Sequence, residues 1–311
     1  MLNFGGLITP LEDLDLLRSL VKDLHNRKHR NLTGIELGPW LGRSTLAILA
    51  PDLPIGIPNR YEVGVYDLMT MDFKDLGELW QRISVNFDAC GPTIPIETVK
   101  RLLVMLFAHR VGPKKRYFEK LWCVDTWGGI ESEKTMFFRE SITENPRHTF
   151  LRNVQHAGFG DVVEALQGDS SVLSQLTGEV VDFVFVDADH EYESLAEDLF
   201  AVRKHIDDNT LLCGHDVTLI DRWPGVRMAV DQFVKYYRIE ANCWIAEKEG
   251  VEHLQSLPDY SHFAEDVKRQ QVELNRRYRD PAYRAKHGLP PLQEEQADKD
   301  EVPCLATAGT R

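Results

Sequence analysis

The chain has 311 residues, of which 43% are hydrophobic and 27% charged, and its formal net charge is −13 at pH 7. This length and apolar content suffice to bury one large core. No apolar run approaches the roughly 18 residues that a membrane-spanning helix needs, and the first residues have no basic flank typical of a leader peptide. The excess of acidic residues disfavours binding to phosphate backbones. We therefore expect a cytoplasmic globular protein that binds neither nucleic acid nor a membrane.

Cysteine usage agrees with a reducing compartment. The cysteines are far apart, contain no C-x-x-C pair and mostly lie in apolar stretches, where a reduced thiol behaves as a small hydrophobic group. They are Cys90, Cys123, Cys213, Cys243 and Cys304. We expect them to be buried thiols with a structural role.

Hydrophobic periodicity and turn residues predict an opening helix followed by alternating strands and helices. Thr9-Pro10-Leu11-Glu12 combines a capping residue, an early proline and a glutamate three positions after the cap, which is typical of a helix start. Strands are predicted near residues 32–37, 121–124, 162–166, 180–186, 210–213, 242–246 and 251–255. Helices are predicted at 44–50, 147–156, from 171, at 192–205 and near 226–237. This alternation predicts an α/β fold with a doubly wound, mostly parallel, seven-stranded sheet.

Composition divides the chain into a central domain with two flanking segments. Residues 1–30 form an N-terminal helical segment and residues 31–256 the α/β domain. A predominantly helical insertion interrupts this domain at about 51–120. Residues 257–311 are predicted to be an extension, with a charged helix over 260–279 and a proline-rich, charged, mobile tail.

The residues that end the predicted strands are unusually polar. Five strand ends carry such groups: Glu36; Asp125; Gly168-Asp169-Ser170; Asp187-Ala188-Asp189-His190; and Gly214-His215-Asp216. Because the carboxyl ends of parallel strands meet at one edge of the sheet, and ligands bind there, we expect these groups to form one site.

The turn after the first strand reads Glu36-x-Gly38-x-x-x-Gly42-x-Ser44. Glycines allow the backbone to approach a ligand closely, and a helix begins just behind them. The spacing differs from the G-x-G-x-x-G turn that seats a pyrophosphate. An acidic residue before the turn would repel a diphosphate, but it suits a cationic ligand, and Asp125 at the end of the next strand can accept hydrogen bonds from ribose hydroxyls.

Over about residues 31–256 the sequence resembles the class I S-adenosylmethionine (SAM)-dependent methyltransferases, in particular a branch that methylates hydroxyls of small molecules such as sugars and natural products. The resemblance lies in four segments in this order: Glu36-Leu37-Gly38-Pro39-Trp40-Leu41-Gly42-Arg43-Ser44-Thr45, Val124-Asp125-Thr126-Trp127-Gly128-Gly129, Phe185-Val186-Asp187-Ala188-Asp189-His190-Glu191-Tyr192-Glu193 and Gly214-His215-Asp216.

The resemblance implies a role for each matching residue. The methionine end of SAM would contact Glu36, Gly38, Gly42 and Ser44. The ribose would contact Asp125 and Trp127, and the adenine would lie beside Asp169 and Ser170. Asp187 would border the cofactor and bind Mg²⁺ or Mn²⁺ together with His215 and Asp216. His190 would act as general base. His215 stands where metal-using relatives have a second carboxylate, which departs from the oxygen ligands that Mg²⁺ prefers.

Several alternatives stay open from sequence. Asp67, after a possible strand at 61–66, competes with Asp125 as ribose ligand, because 89 positions separate Glu36 from Asp125. His190 has a second interpretation as a helix cap, and His215 as a histidine that supports other site residues.

The predicted activity is methylation of a hydroxyl on a small-molecule acceptor, since a histidine base and a cation together activate a poor oxygen nucleophile. The other candidates are a protein that binds SAM without catalysis, a site turned to another reaction, and an NAD-dependent oxidoreductase. A homo-oligomer is compatible with the helical insertion.

Overall fold

The structure is a computed structural model that describes residues 11–52, 115–128, 145–220 and 223–286. The chain divides into two compact units, with the division between Tyr260 and Ser261. The first unit holds the sheet and its covering helices. In the second, the helices Ala264–Arg279 and Pro281–Lys286 pack on each other.

The first unit alternates strands and helices as the sequence predicts. Its strands are β1 (Leu32–Leu37), β2 (Phe118–Asp125), β3 (Val163–Gln167), β4 (Phe183–Val186), β5 (Leu211–Gly214), β6 (Tyr237–Glu240) and β7 (Cys243–Ala246). Its helices are α1 (Leu11–Lys28), α2 (Arg43–Leu49), α3 (Pro146–His156), α4 (Tyr192–Val202), α5 (Pro224–Ala229) and α6 (Lys248–Ser256). Short 3₁₀ turns occupy Ser170–Gln175, Arg203–His205 and Tyr260–His262, and a π-helical turn, Val230–Val234, follows α5.

The strands form one seven-stranded sheet in the order β3-β2-β1-β4-β5-β7-β6. The first five strands are parallel, and β7 pairs antiparallel with β5 and β6. The chain moves outward from β1 to β3 and then returns to β4, so the strand order reverses between β1 and β4. This reversal is where doubly wound sheets bind ligands. The predicted fold class is confirmed.

The register aligns the strand ends that the sequence singled out. Leu37 of β1 pairs with Val124 of β2 and with Val186 of β4, and Val186 pairs in turn with Gly214 of β5. The glycine turn after Leu37 and the polar residues that follow Val124, Val186 and Gly214 therefore lie along one edge of the sheet.

Both faces of the sheet are covered, which explains why its central strands read as continuous apolar runs. On one face, α1 packs against α2, and the core includes Leu17, Val21 and Phe150. On the other, the aromatic rings of Tyr192 and Phe200 contact Phe233. Among the described cysteines, Cys123, Cys213 and Cys243 are buried thiols without disulfides, as predicted.

The last part of the sheet corrects the sequence prediction. Residues 251–255, predicted as a strand, lie in α6, where Val251 and Leu254 are buried at a helical spacing. The seventh strand is instead β6, which the sequence did not predict, and the helix predicted at 226–237 ends at Val234. A short apolar run does not separate a strand from a helix by periodicity alone, and β6 is an exposed edge strand with little apolar pattern.

Other predictions differ only in their limits or lie outside the described residues. Strand β4 begins at Phe183 rather than at residue 180, and half-exposed Val180 lies outside it. Asp67, most of the predicted insertion and the tail beyond residue 286 lie outside the described residues. Among the helices that the structure describes, none has the length and apolar character required to cross a membrane.

Candidate active site

The turn after β1 needs glycine at two positions. Gly38 and Gly42 have φ angles of +79° and +93°, which side chains other than glycine rarely adopt. A Cβ on Gly38 would lie 2.0 Å from the backbone oxygen of Asp187. The turn after β1 is therefore packed directly against the end of β4, at the point where the strand order reverses.

Glu36 lies beneath this turn and is completely buried. Its carboxylate accepts a hydrogen bond of 2.6 Å from Ser44 Oγ at the start of α2, and the Cys123 thiol lies 3.6 Å away. Burial raises the pKa of Glu36 to about 7, and Asp187 adds to this, although the hydrogen bonds from Ser44, Thr45 and Cys123 oppose the rise. The carboxyl therefore exchanges a proton near neutral pH.

Asp125 joins the turns that follow β1 and β2. One carboxylate oxygen accepts a hydrogen bond from the backbone N–H of Trp40 at 3.0 Å, and the other accepts one from the N–H of Trp127 at 2.6 Å. The pKa of Asp125 is raised, because the effect of burial outweighs the lowering by these backbone hydrogen bonds. Asp125 thus stands at the predicted place and organises both turns.

The Trp127 indole faces inward. It is buried against Phe150, with ring centroids 5.5 Å apart, and its Nε1–H donates to the backbone oxygen of Trp40 at 3.0 Å. Its φ is +50°, an uncommon conformation for a large residue. The side chain belongs to the core beneath the predicted ribose position, so the predicted cofactor contact of Trp127 would come from its backbone.

At the end of β3, Asp169 and Ser170 point to different surroundings. The Asp169 carboxylate accepts hydrogen bonds from the N–H and hydroxyl of Ser171, which cap the following 3₁₀ turn and lower the pKa of Asp169. Ser170 is buried and bonds to Asp198 of α4, whose pKa burial raises to about 7. Both residues lie at the predicted edge of the sheet.

Past the end of β4, the Asp189 carboxylate organises the turn that leads into α4. It accepts hydrogen bonds from the N–H groups of His190 and Glu191 at 2.7 and 3.3 Å and from Ser194 Oγ at 3.0 Å. The imidazole of His190 does not cap the helix. It turns toward the end of β5, where its Nε2 lies 2.7 Å from Asp216 Oδ2.

One further contact to its ring and one to its backbone hold His190 in place. It stacks on Trp223, just before α5, with centroids 4.5 Å apart and ring planes 17° from parallel. A Cβ on Gly225 would lie 2.6 Å from the backbone oxygen of His190, so this segment approaches the histidine as closely as it can. The pKa of Asp216 is held well below its usual range: burial opposes this, but hydrogen bonds from His190 and His215 and the charge of His215 outweigh burial.

His215 is enclosed by carboxylates on both sides. Its Nε2 lies 2.9 Å from Asp13 Oδ2, and its Nδ1 lies 3.4 Å from Asp187 Oδ1 and 3.2 Å from Asp216 Oδ1. Burial lowers the pKa of His215, but Asp187, Asp13 and Asp216 together raise it well above its usual value. Acids therefore face both nitrogens of this buried ring and favour its protonated form.

The grouping of possible metal ligands differs from the predicted set of Asp187, His215 and Asp216. Asp187, His190 and Asp216 each offer one ligand atom, and these atoms lie within 4.8 Å of one another. His215 is not in this group, although its Nδ1 lies 3.4 Å from Asp187 Oδ1 and 3.2 Å from Asp216 Oδ1. His190 therefore joins His215 as a candidate third ligand.

Asp13, His215 and Cys243 also bring ligand atoms within 4.8 Å of one another. Hydrogen bonds account for this second group, because Asp13 binds the His215 ring and the N–H of Asn242. Burial raises the pKa of the Cys243 thiol to about 12, which keeps its proton in place. A cysteine is a good metal ligand only after it has lost this proton, as a thiolate.

Sequence reasoning missed three residues of this site. Asp13 is 202 positions from His215, and Asn242 follows a strand end that was not predicted. Trp223 stands directly before Pro224, so the proline at the start of α5 was a usable indication that residues near 223 form a strand-to-helix turn.

Comparison with known families supports the resemblance seen in the sequence. A family model described as a methyltransferase domain matches residues 102–217. The match contains the segments at Asp125, Asp187 and His215–Asp216, whereas the turn after β1 precedes it. The predicted resemblance to methyltransferases is confirmed over this range. No curated protein matches the sequence significantly.

Solved structures give weaker similarities. An O-methyltransferase from Bacillus cereus in complex with S-adenosylhomocysteine (SAH) is 13% identical, with a TM-score of 0.41, over 79% of this chain and 84% of that chain. The O-methyltransferase TomG from Streptomyces achromogenes, in complex with SAM, is 12% identical, with a TM-score of 0.40, over 78% and 82%. The O-methyltransferase NovP is 15% identical, with a TM-score of 0.41, over 76% and 79%.

Proposed function

We propose that this protein transfers the methyl group of SAM to a hydroxyl of a small molecule, with His190 as the general base. The observation that carries the proposal is the contact of 2.7 Å between His190 Nε2 and Asp216 Oδ2. It places an oriented imidazole at the sheet edge where the strand order reverses, beside a glycine turn and an acidic strand end.

In this proposal the β1 and β2 turns hold the cofactor. Gly38 and Gly42 let the backbone approach its methionine part, next to Glu36 and Ser44. Asp125 and the backbone at Trp127 would bind the ribose. The adenine would lie by Asp169 and Ser170, and Asp187 would border the sulfonium end. The negative charges near this position suit a cationic cofactor.

The chemical step needs alignment and the removal of one proton. Methyl transfer is an in-line displacement at a carbon already activated by its sulfonium, so positioning the acceptor contributes most of the catalysis. With Nε2 directed at a carboxylate, the neutral His190 ring carries its proton there, and Nδ1 takes the proton of the acceptor hydroxyl. Asp216 then stabilises the imidazolium that forms, as the aspartate does in a Ser-His-Asp triad. Trp223 keeps the ring plane fixed.

A divalent cation is the second part of the proposal. Asp187 and Asp216 would hold it, with His190 as the nearest third donor. When bound, such a cation lowers the pKa of the acceptor hydroxyl and orients it. Mg²⁺ prefers a site built only of oxygen ligands. A site of two carboxylates and an imidazole therefore suits Mn²⁺ better. Because His190 is either ligand or base in a given complex, the metal and the base make different predictions.

The test is SAH formation by the full-length protein with a panel of hydroxylated metabolites, with product mass as confirmation. We expect His190→Ala to abolish turnover while SAM still binds. If EDTA abolishes activity and Mn²⁺ restores it, the metal is required; if EDTA leaves the rate unchanged, the base acts alone. Activity retained in His190→Ala would contradict the base.

Simple binding measurements distinguish two other functions from the proposed one. A thermal shift with NAD⁺ but not with SAM would favour an oxidoreductase, which the absence of G-x-G-x-x-G disfavours. SAM binding without SAH formation for any acceptor would favour a binding protein. We further propose a cytoplasmic location, a possible homo-oligomer and no nucleic-acid partner, the last supported by the net charge of −13.

A further inference from the structure

We propose that Asp13, on the N-terminal helix α1, is a positioning residue of the active site that holds His190 in place through His215, Asn242 and Asp216. The inference rests on the proposed function. It assigns a role in the reaction to a helix that lies before β1 and outside the matched methyltransferase range.

Asp13, on the first helix, contacts residues beyond the end of β5 and in the β6–β7 turn. Its side chain is buried, at 1% exposure, and its two carboxylate oxygens have separate partners. Oδ2 lies 2.9 Å from His215 Nε2, after β5, and Oδ1 accepts a hydrogen bond of 2.8 Å from the N–H of Asn242, in the β6–β7 turn. One carboxylate therefore ties α1 to two separate loops.

Both partners of Asp13 contact Asp216. Asn242 Nδ2 donates to Asp216 Oδ1 at 2.8 Å, and His215 Nδ1 lies 3.2 Å from the same oxygen. These contacts fix one oxygen of Asp216 and leave Oδ2 directed at His190. Two routes, each with a single intermediate residue, thus connect Asp13 to the carboxylate that orients the base.

The surroundings of Asp216 and His215 include a further carboxylate. Asp216 itself has a φ of +62°, in the left-handed region that aspartate tolerates. Asp187 also faces His215, with Oδ1 3.4 Å from Nδ1. Asp13 is the carboxylate that faces His215 Nε2, and a buried ring that loses such a partner rearranges or draws in water.

A purely structural ion pair is the competing explanation. It predicts lower stability without a specific change at His190. The two explanations separate when catalytic rate, cofactor affinity and the His190 ring are measured on the same folded variant.

The experiment uses the full-length chain with Asp13→Asn, which keeps the size of the side chain but removes its charge. Asp15→Asn is the matched control, since Asp15 lies on the same helix, is only half-buried and forms a local ion pair with Arg18. We expect kcat to fall at least about tenfold in Asp13→Asn, while the SAM Kd changes less than about threefold. Asp15→Asn should match the wild type in both.

A second readout does not need turnover. Histidine ring ¹⁵N resonances of the SAM-bound protein report the hydrogen bonds of His190, and Asp13→Asn should shift them while Asp15→Asn leaves them unchanged. If the wild type forms no SAH, the proposed function fails, and the ring resonances alone decide the role of Asp13. If Asp13→Asn does not fold, Asn242→Ala tests the second route by the same measurements. Unchanged kcat and an unchanged His190 ring in a folded variant would overturn the inference.

Discussion

His190 and Asp216 come from loops that follow adjacent parallel strands, and their side chains meet at 2.7 Å across the sheet edge. Neither loop places its group alone: Trp223 stacks on the histidine, and Asn242 holds the other oxygen of the aspartate. The pair is therefore a product of tertiary packing.

Asp216→Asn tests the pair directly. An amide oxygen still accepts a hydrogen bond from His190, but without the negative charge it no longer stabilises an imidazolium. We expect kcat to fall by about 10²-fold or more, by analogy with the aspartate of a catalytic triad. SAH formation under saturating SAM is the measurement. Asp231→Asn changes an exposed aspartate of the π-helical turn, which pairs with Arg227 and Tyr237, and should be neutral; equal rates in both variants would exclude a role for the charge.

Gly38→Ala tests the close approach of the β1 turn to β4. A methyl group there meets the Asp187 carbonyl at 2.0 Å and forces a residue with a side chain into φ +79°. Strain and displacement should lower the free energy of unfolding by about 2 kcal/mol or more and weaken SAM binding. Urea denaturation and calorimetry measure both effects.

Gly160→Ala is the matched control, because the added Cβ would have its nearest neighbour at 3.6 Å, an ordinary contact distance. We expect a change in stability below about 1 kcal/mol. Similar losses in the two variants would show that the β1–β4 approach has no special importance.

Glu36→Gln tests the buried carboxyl beneath the turn. The folded-state pKa of about 7 exceeds the ordinary glutamate value of 4.5, so the native state binds the proton more tightly than the unfolded state. Stability should therefore fall as pH rises from about 4.5 through 7, by up to about 3 kcal/mol. Glutamine removes this ionisation, so the variant should gain relative stability between pH 5 and pH 8.

Urea denaturation of wild type, Glu36→Gln and the exposed control Glu249→Gln at both pH values measures this difference. The control should follow the wild type. A difference between Glu36→Gln and wild type that does not change with pH would mean that Glu36 keeps one protonation state throughout.

Asp125→Ala tests the predicted ribose site. Loss of an acceptor for the ribose hydroxyls, together with release of the Trp40 and Trp127 amides, should weaken SAM binding at least tenfold, or about 1.4 kcal/mol. Asp125→Asn keeps one acceptor oxygen and should lose less. Asp161→Asn, which only alters an exposed pair with Arg116, is the control for calorimetry. Full affinity in folded Asp125→Ala would move the ribose site to Asp67.

Much of the fold and the location of the site follow from the sequence alone. Buried parallel strands read as apolar runs, and a chain that alternates such runs with amphipathic helices has few arrangements open to it. The polar residues directly after Val124, Val186 and Gly214 had to meet the glycine turn after Leu37, because parallel strands end at one edge. The sequence also indicated a close backbone approach at Gly38, since only glycine permits one.

The tertiary structure alone decided which of these side chains face one another. His215 lies between Asp13 and two strand-end carboxylates, because α1 packs where its aspartate reaches the end of β5. Likewise, β6 and α6 were interchanged from local patterns that fit either element. Hydrophobic periodicity is a local property of the chain, whereas the partner of a buried charge depends on which distant elements share its surroundings.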